Sequence, residues 1–315
     1  MAKTKFYIGT AGWKYDDWIG SFYPKKETSN FDWLQFYSHY FNCIEVNSTY
    51  YVYLSDKVVN AWVRKTEDLD DFIFTLKLHQ DFTHKRSYTK QNIDSTNYVL
   101  NILNKAGRLG GLLIQFPQSF KFDPNSAAYI KKLNELFGQH GIFLEVRHGS
   151  FHTKEALDFF RTERINCITI DQPQVGNAIA FKPVVTGSCL YFRLHGRNKE
   201  DWFKGFDKMD QPKTDTERNA RYNYLYSPGE LVEMVDEIKA SLSTAEKVIV
   251  ITNNHPKGNA VANAFQLISM LENRLVEIPE TTLKCYPELK EIAEQPHPQS
   301  PSPDKGEEEE LNLFG

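Results

Sequence analysis

Residues 142–147, Ile142-Phe143-Leu144-Glu145-Val146-Arg147, form a short apolar run that ends in charged residues. An apolar run of this length is typical of a strand that is covered on both faces, as in a parallel sheet. Similar segments recur along the chain and give eight predicted strands: Phe6–Gly9, Cys43–Asn47, Phe72–Lys77, Gly111–Phe116, Ile142–Arg147, Cys167–Asp171, Cys189–His195 and Val248–Thr252.

Helix-like segments separate most of these strands. The clearest start signal is Ser227-Pro228-Gly229-Glu230, which combines a serine cap, a proline in the first turn and a capping-box glutamate. The predicted helices are Phe31–Phe41, Asp56–Lys65, Gln91–Gly107, Pro124–Phe137, Lys154–Glu163, Pro228–Ser243 and Pro256–Leu271. The connection from Gln172 to Ser188 shows no clear long helix.

Strands that alternate with helices indicate either a (β/α)8 TIM barrel or a large doubly wound sheet. The count of eight strands favours the barrel. The first strand leads into Gly9-Thr10-Ala11-Gly12, which lacks the G-x-G-x-x-G spacing of a dinucleotide-binding turn. The sequence therefore predicts an α/β protein with a single TIM-barrel domain.

The C-terminal residues break this pattern. We predict a barrel domain over residues 1–290 and a disordered, acidic tail over residues 291–315, because a proline-rich stretch and then Glu307–Glu310 interrupt the apolar periodicity. The whole chain has 37 basic and 41 acidic residues, a net charge of −4. Residues 294–315 contribute six acidic groups and one basic group, so the remainder is close to neutral at +1.

Composition excludes several classes of protein. No apolar run approaches the roughly 20 residues of a membrane-spanning helix. The N-terminal apolar stretch is too short for a secretory signal. The four cysteines lie far apart without a C-x-x-C pair, which argues against a zinc ribbon or a disulfide scaffold. These features predict a cytoplasmic protein that does not associate with membranes.

In a TIM barrel the reactive residues lie at the carboxyl ends of the strands. The ends of the predicted strands carry many polar groups, and every second residue of a strand points into the barrel. The candidate catalytic residues are Glu45, Glu145, Asp171, His148 and His195. The candidate ligand-binding residues are Trp13, Asn47, Lys77, Arg147, Arg193, Arg197, Tyr224 and Asn253.

Two interpretations of these charges remain open. In the first, Lys77 and three arginines clamp an anion, because guanidinium groups pair bidentately with phosphate or carboxylate. In the second, the same arginines pair with the carboxylates as inward-facing ion pairs that close the barrel mouth. The aromatic residues of the first two loops, Trp13 among them, have two interpretations as well. They stack on a sugar or nucleobase, or Trp18, Phe22 and Tyr23 plug the barrel or pack under the loop. The long connection from Arg197 to Tyr226 is predicted to be a lid or binding loop, with a plain surface loop as the alternative.

The quoted residues also carry a family resemblance. The motifs are Gly9-Thr10-Ala11-Gly12-Trp13, the stretch 41–51, Gln115-Phe116-Pro117, Glu145-Val146-Arg147-His148, the stretch 191–197, the stretch 222–226 and Asn253-Asn254. In this order they resemble the YecE-like family, catalogued as domain of unknown function 72, over about residues 5–272. The resemblance implies a TIM-barrel fold and supplies no activity.

A second resemblance lies in the tail. Glu310-Leu311-Asn312-Leu313-Phe314 is similar to the short Gln-Leu-x-Leu-Phe peptide with which bacterial repair and replication proteins dock on the sliding clamp. We therefore expect Leu311, Leu313 and Phe314 to be candidate anchors for the clamp. The alternatives are a hydrophobic hook that folds back on the barrel, and a tail without a partner.

Three functional hypotheses follow. In the first, the barrel binds a phosphate-bearing ligand, which includes nucleic acid, and hydrolyses its phosphoester bond. The candidate acids and bases or a divalent metal ion would carry out this reaction. The second is a glycoside-acting barrel with a carboxylate pair, for which three arginines are unexpected. The third is a non-catalytic binding module for nucleic acid that is recruited through the tail.

Overall fold

Eight parallel strands close into a barrel in which each strand pairs with its neighbours in chain order. In the computed structural model, which describes residues 4–25, 31–202 and 219–295, the barrel closes where Lys5–Thr10 pair with Lys247–Thr252. The strands are β1 (Lys5–Ala11), β2 (Cys43–Val46), β3 (Ile73–Lys77), β4 (Leu109–Gln115), β5 (Ile142–Glu145), β6 (Asn166–Asp171), β7 (Cys189–Leu194) and β8 (Lys247–Thr252). All eight predicted strands are present, so the predicted TIM barrel is confirmed.

Helices lie between most of the strands, close to the predicted positions. They are α1 (Trp33–Tyr40), α2 (Asp56–Lys65), α3 (Gln80–Thr83), α4 (Lys90–Lys105), α5 (Pro124–Phe137), α6 (Lys154–Thr162), α7 (Lys199–Trp202), α8 (Pro228–Ala240), α9 (Asn259–Glu272) and α10 (Glu280–Cys285). Helix α1 begins later than predicted because the Asp32 side chain accepts hydrogen bonds from the backbone of Leu34 and Gln35. Helix α9 begins at Asn259, since Lys257 and Gly258 have positive φ angles of 63° and 86° and separate it from Pro256.

The connection after β6 has no helix at residues 172–188, as the sequence indicated. The predicted lid after β7 falls partly on residues 203–218, which lie outside the described residues, as do residues 296–315 of the predicted tail. Before that point, Val276 pairs with the backbone of Ile292 and Glu294. No helix in the described ranges is long and apolar enough to cross a membrane.

The apolar side chains form two layers. The larger layer lies between the strands and the helices, and the smaller one fills the bore of the barrel. The bore is filled by inward residues of every strand: Tyr7, Ala11, Cys43, Ile73, Leu113, Phe143, Ile168, Ile170, Tyr191, Ile249 and Ile251. The bore is therefore packed below its mouth, and any ligand must approach from the carboxyl ends of the strands.

Candidate functional site

Arg193 lies at the centre of the barrel mouth. The alternation of β7 points Tyr191 and Arg193 inward, and Arg193 is only 1% exposed. Its Nε donates to Oε2 of Glu45 at 2.8 Å, and its Nη2 donates to Oε1 of the same carboxylate at 2.6 Å. Its Nη1 donates to Oε2 of Glu145. One guanidinium thus holds a carboxylate from β2 and a carboxylate from β5.

Arg147 completes this arrangement, which we call the Arg193 network: Arg193, Glu45, Glu145 and Arg147. Nε and Nη2 of Arg147 donate to Oε1 of Glu145 at 2.9 and 2.7 Å. Burial acts to raise the pKa of Glu145, but Arg193 and Arg147 outweigh it and hold the pKa well below its usual range. Two carboxylates and two guanidiniums therefore face each other with no excess charge. In the structure these residues form the ion pairs of the second interpretation.

Polar side chains on β3, β4 and β7 extend the hydrogen bonding of the network. Tyr191 donates from its hydroxyl to Oε2 of Glu45 at 2.6 Å, and the same hydroxyl lies 3.0 Å from Oγ1 of Thr75. Gln115 accepts a longer hydrogen bond of 3.4 Å from Nη1 of Arg193. Tyr191 and Thr75 are absent from the candidates drawn from the sequence. Tyr191 could have been identified from its position two residues before Arg193, because this spacing places both side chains on one face of β7.

His195 and Asn253 lie together beside the network. His195 is fully buried, with Nε2 3.5 Å from Oε1 of Glu145 and Nδ1 2.8 Å from the side-chain nitrogen of Asn253. Burial lowers the pKa of His195 to about 3, although Glu145 acts in the opposite direction. The imidazole is therefore neutral at physiological pH. The hydrogen bond from Asn253 fixes its orientation.

Asp171 belongs to a different cluster. Ile168 and Ile170 point into the bore, so the alternation of β6 puts Asp171 on the side that faces the helices. There Nη2 of Arg197 donates to Oδ1 of Asp171 at 2.9 Å, and the Tyr226 hydroxyl donates to Oδ2 at 2.6 Å. Burial raises the pKa of Asp171, against the effect of these two partners.

The cluster extends from Arg197 to the start of α8. Nη1 of Arg197 donates to Oε1 of Glu230 at 3.0 Å, and the Tyr224 hydroxyl donates to the same oxygen at 2.7 Å. Glu230 also caps α8 together with Ser227. Asp171, Arg197 and Tyr224 therefore tie the seventh loop to α8, apart from the Arg193 network.

Three further candidates have local structural contacts. Trp13 is 6% exposed and packs edge-on against Trp62 of α2 at 5.6 Å. His148 caps the turn at Gly149–His152 by accepting a hydrogen bond from the Ser150 backbone at 3.1 Å. Asn47 begins the turn after β2, and its Oδ1 is buried without a hydrogen-bond partner among the described residues.

Lys77 is the remaining candidate, at the carboxyl end of β3. Its ammonium lies 4.4 Å from the ring centroid of Tyr50, which in turn packs edge-on against Tyr51 at 4.9 Å and His84 at 5.2 Å. We call these four residues the Lys77 cluster. Tyr51 is 69% exposed, whereas Lys77 is partly buried. Within the described residues, no carboxylate forms a salt bridge with Lys77.

The electrostatic surroundings of the Lys77 cluster are positive. Burial, together with the cations Lys77, Arg147 and Arg86, lowers the pKa of His84 to about 4. Burial and Arg193 also lower the pKa of Lys77 to about 7, although Glu145 and Glu45 favour its charged form. Sequence reasoning missed His84, because it follows the short helix α3 rather than a strand.

The divalent metal ion that the sequence left open as an alternative finds no ligand set in the part of the chain that the structure describes. There, no three His, Cys, Asp or Glu side chains are grouped closely enough to hold a metal ion. Glu45 and Glu145, the best placed carboxylates, each accept hydrogen bonds from guanidinium groups. We therefore assign no metal ligands.

Comparisons with known proteins agree with this architecture. The family model described as "Protein of unknown function DUF72" matches residues 7–284. A DUF72 family protein from Thermotoga maritima is 31% identical, superposes with a TM-score of 0.73, and the match covers 85% of this chain and 99% of that one. The UPF0759 protein YunF of Bacillus subtilis is 28% identical over 280 residues, or 84% of this chain and 94% of YunF. The UPF0759 protein YecE of Escherichia coli is 28% identical over 148 residues, which are 47% of this chain and 50% of YecE.

Proposed function

Since the chain belongs to the DUF72 family, a family of unknown function, we propose a role from its own site: the barrel mouth binds a small phosphate-bearing ligand at the Lys77 cluster. The observation that carries this proposal is the distribution of charge. The Arg193 network is balanced internally, whereas Lys77 has no carboxylate partner within the described residues. When it is protonated, Lys77 is thus a cation without a carboxylate partner among the described residues, at the end of a barrel strand, where ligands of this fold bind.

The neighbours of Lys77 suit such a ligand. Arg147 is 8% exposed and lies close enough to lower the pKa of both Lys77 and His84, although its guanidinium is paired with Glu145. A phosphate carries about two negative charges near neutral pH and accepts several hydrogen bonds. It would favour the charged form of Lys77 and offset the cost of burying that group. The exposed ring of Tyr51 is available to the organic part of the ligand.

Hydrolysis of a phosphoester and cleavage of a glycoside are the chemical alternatives. Both need a carboxyl group that exchanges a proton during the reaction. Glu45 and Glu145 accept hydrogen bonds from Arg193, and Glu145 is held in its charged form, so neither is prepared for this role. The geometry therefore favours binding of the phosphate over hydrolysis by these carboxylates.

Calorimetric titration with glycerol 3-phosphate, glycerol and inorganic phosphate tests the proposal. We expect glycerol 3-phosphate and inorganic phosphate to bind and glycerol not to bind. Lys77→Met should weaken phosphate binding about tenfold or more, since a hydrogen bond to a charged group contributes about 1.5–3 kcal/mol. The matched control is Lys105→Met, because Lys105 is an exposed residue at the end of α4, at the opposite face of the barrel.

Two outcomes would contradict the proposal. One is equal binding of glycerol and glycerol 3-phosphate, and the other is phosphate binding that Lys77→Met leaves unchanged. Binding of a single-stranded oligonucleotide without binding of the small phosphates would favour the nucleic-acid module instead. Release of phosphate from a phosphodiester substrate would favour the hydrolase.

A further inference from the structure

Arg86 is a second cation at the carboxyl ends of the strands. It lies in the connection between α3 and α4, which follows β3, and its side chain is exposed. The central carbon of its guanidinium lies 4.8 Å from the ring centroid of Phe120 and 5.7 Å from that of Tyr129. Two aromatic rings from the following connection and from α5 therefore hold the guanidinium in place at the surface.

The guanidinium of Arg86 has unused binding capacity. A guanidinium carries five N–H donors. Among the described residues, no carboxylate forms a salt bridge with Arg86 and no atom accepts a hydrogen bond from it. The charge of Asp123 lies within range of Arg86, but the Asp123 side chain accepts a hydrogen bond from the Ser126 backbone at 2.8 Å and caps α5. The donors of Arg86 are thus available to a ligand.

Lys77 and Arg86 share one arrangement. Each cation rests on an aromatic ring, and neither forms a salt bridge with a carboxylate in the described ranges. The adjacent Lys85 differs, because it pairs with Asp81 at 3.0 Å. A cation that is held by a ring keeps its full charge for an anionic partner, whereas a cation in a salt bridge must first give up its carboxylate.

His84 shows that the two cations lie on one side of the mouth. It precedes Arg86 by two residues, and its ring packs edge-on at 5.2 Å against Tyr50, over which the Lys77 ammonium lies. Burial is the largest cause of the lowered pKa of His84, and the charges of Lys77 and Arg86 both contribute to it. Since both charges act on one imidazole, the two cations are close enough for a single small molecule to contact both.

We propose that the ligand of the barrel mouth is a bisphosphate, whose first phosphate binds to Lys77 and whose second phosphate binds to Arg86. This inference rests on the proposed function, which supplies the first contact. Once one phosphate is bound, the second contact forms within the same complex and no longer depends on the concentration of a separate ion. Arginine suits this contact because its planar guanidinium pairs bidentately with phosphate oxygens.

Calorimetric titration of the full chain with fructose 6-phosphate and fructose 1,6-bisphosphate tests the inference. We expect the bisphosphate to bind about tenfold or more tightly than the monophosphate. Arg86→Gln should remove this advantage, so that both ligands bind with the same affinity. The matched control is Arg164→Gln, which should retain it. Arg164 is also an exposed arginine with a positive φ, 56° against 50° for Arg86, and it lies before β6 at the opposite face of the barrel. Circular dichroism verifies that each variant is folded.

Three results would overturn the second phosphate site. One is an advantage of no more than about twofold, which two equivalent phosphates give by statistics alone. Another is an advantage that persists in Arg86→Gln, including the case in which the affinity for both ligands falls equally because both cations hold one phosphate. The third is an equal loss of the advantage in Arg164→Gln, which would make it an effect of overall charge.

The monophosphate separates this inference from the function on which it rests. Where fructose 6-phosphate binds and Lys77→Met weakens that binding, the proposed function stands even if the second phosphate adds nothing. Absence of binding by both ligands would instead refute the proposed function and this inference together.

Discussion

Arg193 is the residue that joins β2, β5 and β7 at the barrel mouth, since it holds Glu45 and Glu145 at the same time. Replacement by methionine leaves two buried carboxylates without this partner. Removal of one member of a buried ion pair typically costs about 3–5 kcal/mol. We expect Arg193→Met to lower the free energy of unfolding by about that amount, measured by urea denaturation at pH 7.

The double variant Arg193→Met with Glu45→Gln provides the control, because it removes one of the two carboxylates that lose Arg193 as a partner. It should recover part of the lost stability relative to Arg193→Met alone. A loss below about 1 kcal/mol in the single variant would show that the network contributes little to the fold.

Lys77 gives a pH-dependent effect on stability. Its pKa falls from the ordinary value of 10.5 to about 7 in the folded protein, so the unfolded chain binds more protons between these two values. Stability contributed by this residue therefore rises with pH across that window, and the burial cost is fully present below about pH 7. Lys77→Met should stabilise the protein at pH 6, by on the order of 2–4 kcal/mol.

The advantage of Lys77→Met should shrink as the pH rises toward 10. Urea denaturation of both proteins at pH 6, 8 and 10 measures the trend. Equal effects of the substitution at all three values would mean that the lysine keeps its ordinary pKa in the folded state.

At the scale of the elements, the approach of β1 to β2 depends on Gly9. A Cβ atom at this position would lie 1.8 Å from the carbonyl oxygen of Cys43 and 2.8 Å from the hydroxyl of Tyr37. That hydroxyl donates to the Cys43 carbonyl and accepts from the Thr10 backbone, so it has little freedom to move. We expect Gly9→Ala to destabilise the barrel by about 3 kcal/mol or more, measured by thermal and urea denaturation.

Gly229 offers a matched glycine control. It lies in the first turn of α8, where an added Cβ meets no atom within 4 Å. Gly229→Ala should leave stability unchanged or raise it by up to about 1 kcal/mol. A similar loss in both variants would contradict the steric explanation for Gly9.

At the scale of the whole molecule, the prediction concerns the C-terminal tail. The backbone pairing of Val276 with Ile292 and Glu294 indicates that a truncation should keep residues up to 295. From the proline-rich and acidic sequence we expect a chain of residues 1–295 to unfold at the same temperature as the full chain. Differential scanning calorimetry of the two chains makes this comparison, and a lower transition for the shorter chain would mean that the tail supports the barrel.

The sliding-clamp hypothesis is tested on the same tail. Replacement of Leu311, Leu313 and Phe314 by alanine in the full chain should abolish association with a bacterial sliding clamp and leave the unfolding transition unchanged. Surface plasmon resonance measures the association. Equal binding by the wild type and the triple variant would exclude docking through these anchors.

Much of the fold was readable from local sequence. Apolar runs such as residues 142–147 predicted every strand, and the capping box at Ser227 predicted the start of α8. The alternation of short strands also identified Glu45, Glu145 and Arg193 as groups at the barrel mouth. These features depend on residues a few positions apart, so they can be identified without knowledge of distant contacts.

The sequence by itself determined that this chain forms an eight-stranded barrel with charged groups at its mouth. Only the tertiary structure decided which charges neutralise each other: Arg193 pairs with Glu45 across 148 positions of the chain, whereas Arg197 turns away to Asp171. In the tertiary structure, no carboxylate among the described residues forms a salt bridge with Lys77. The reason is physical, because ion pairs across a closed barrel depend on the relative position of strands that are distant in sequence, and no local preference specifies that position.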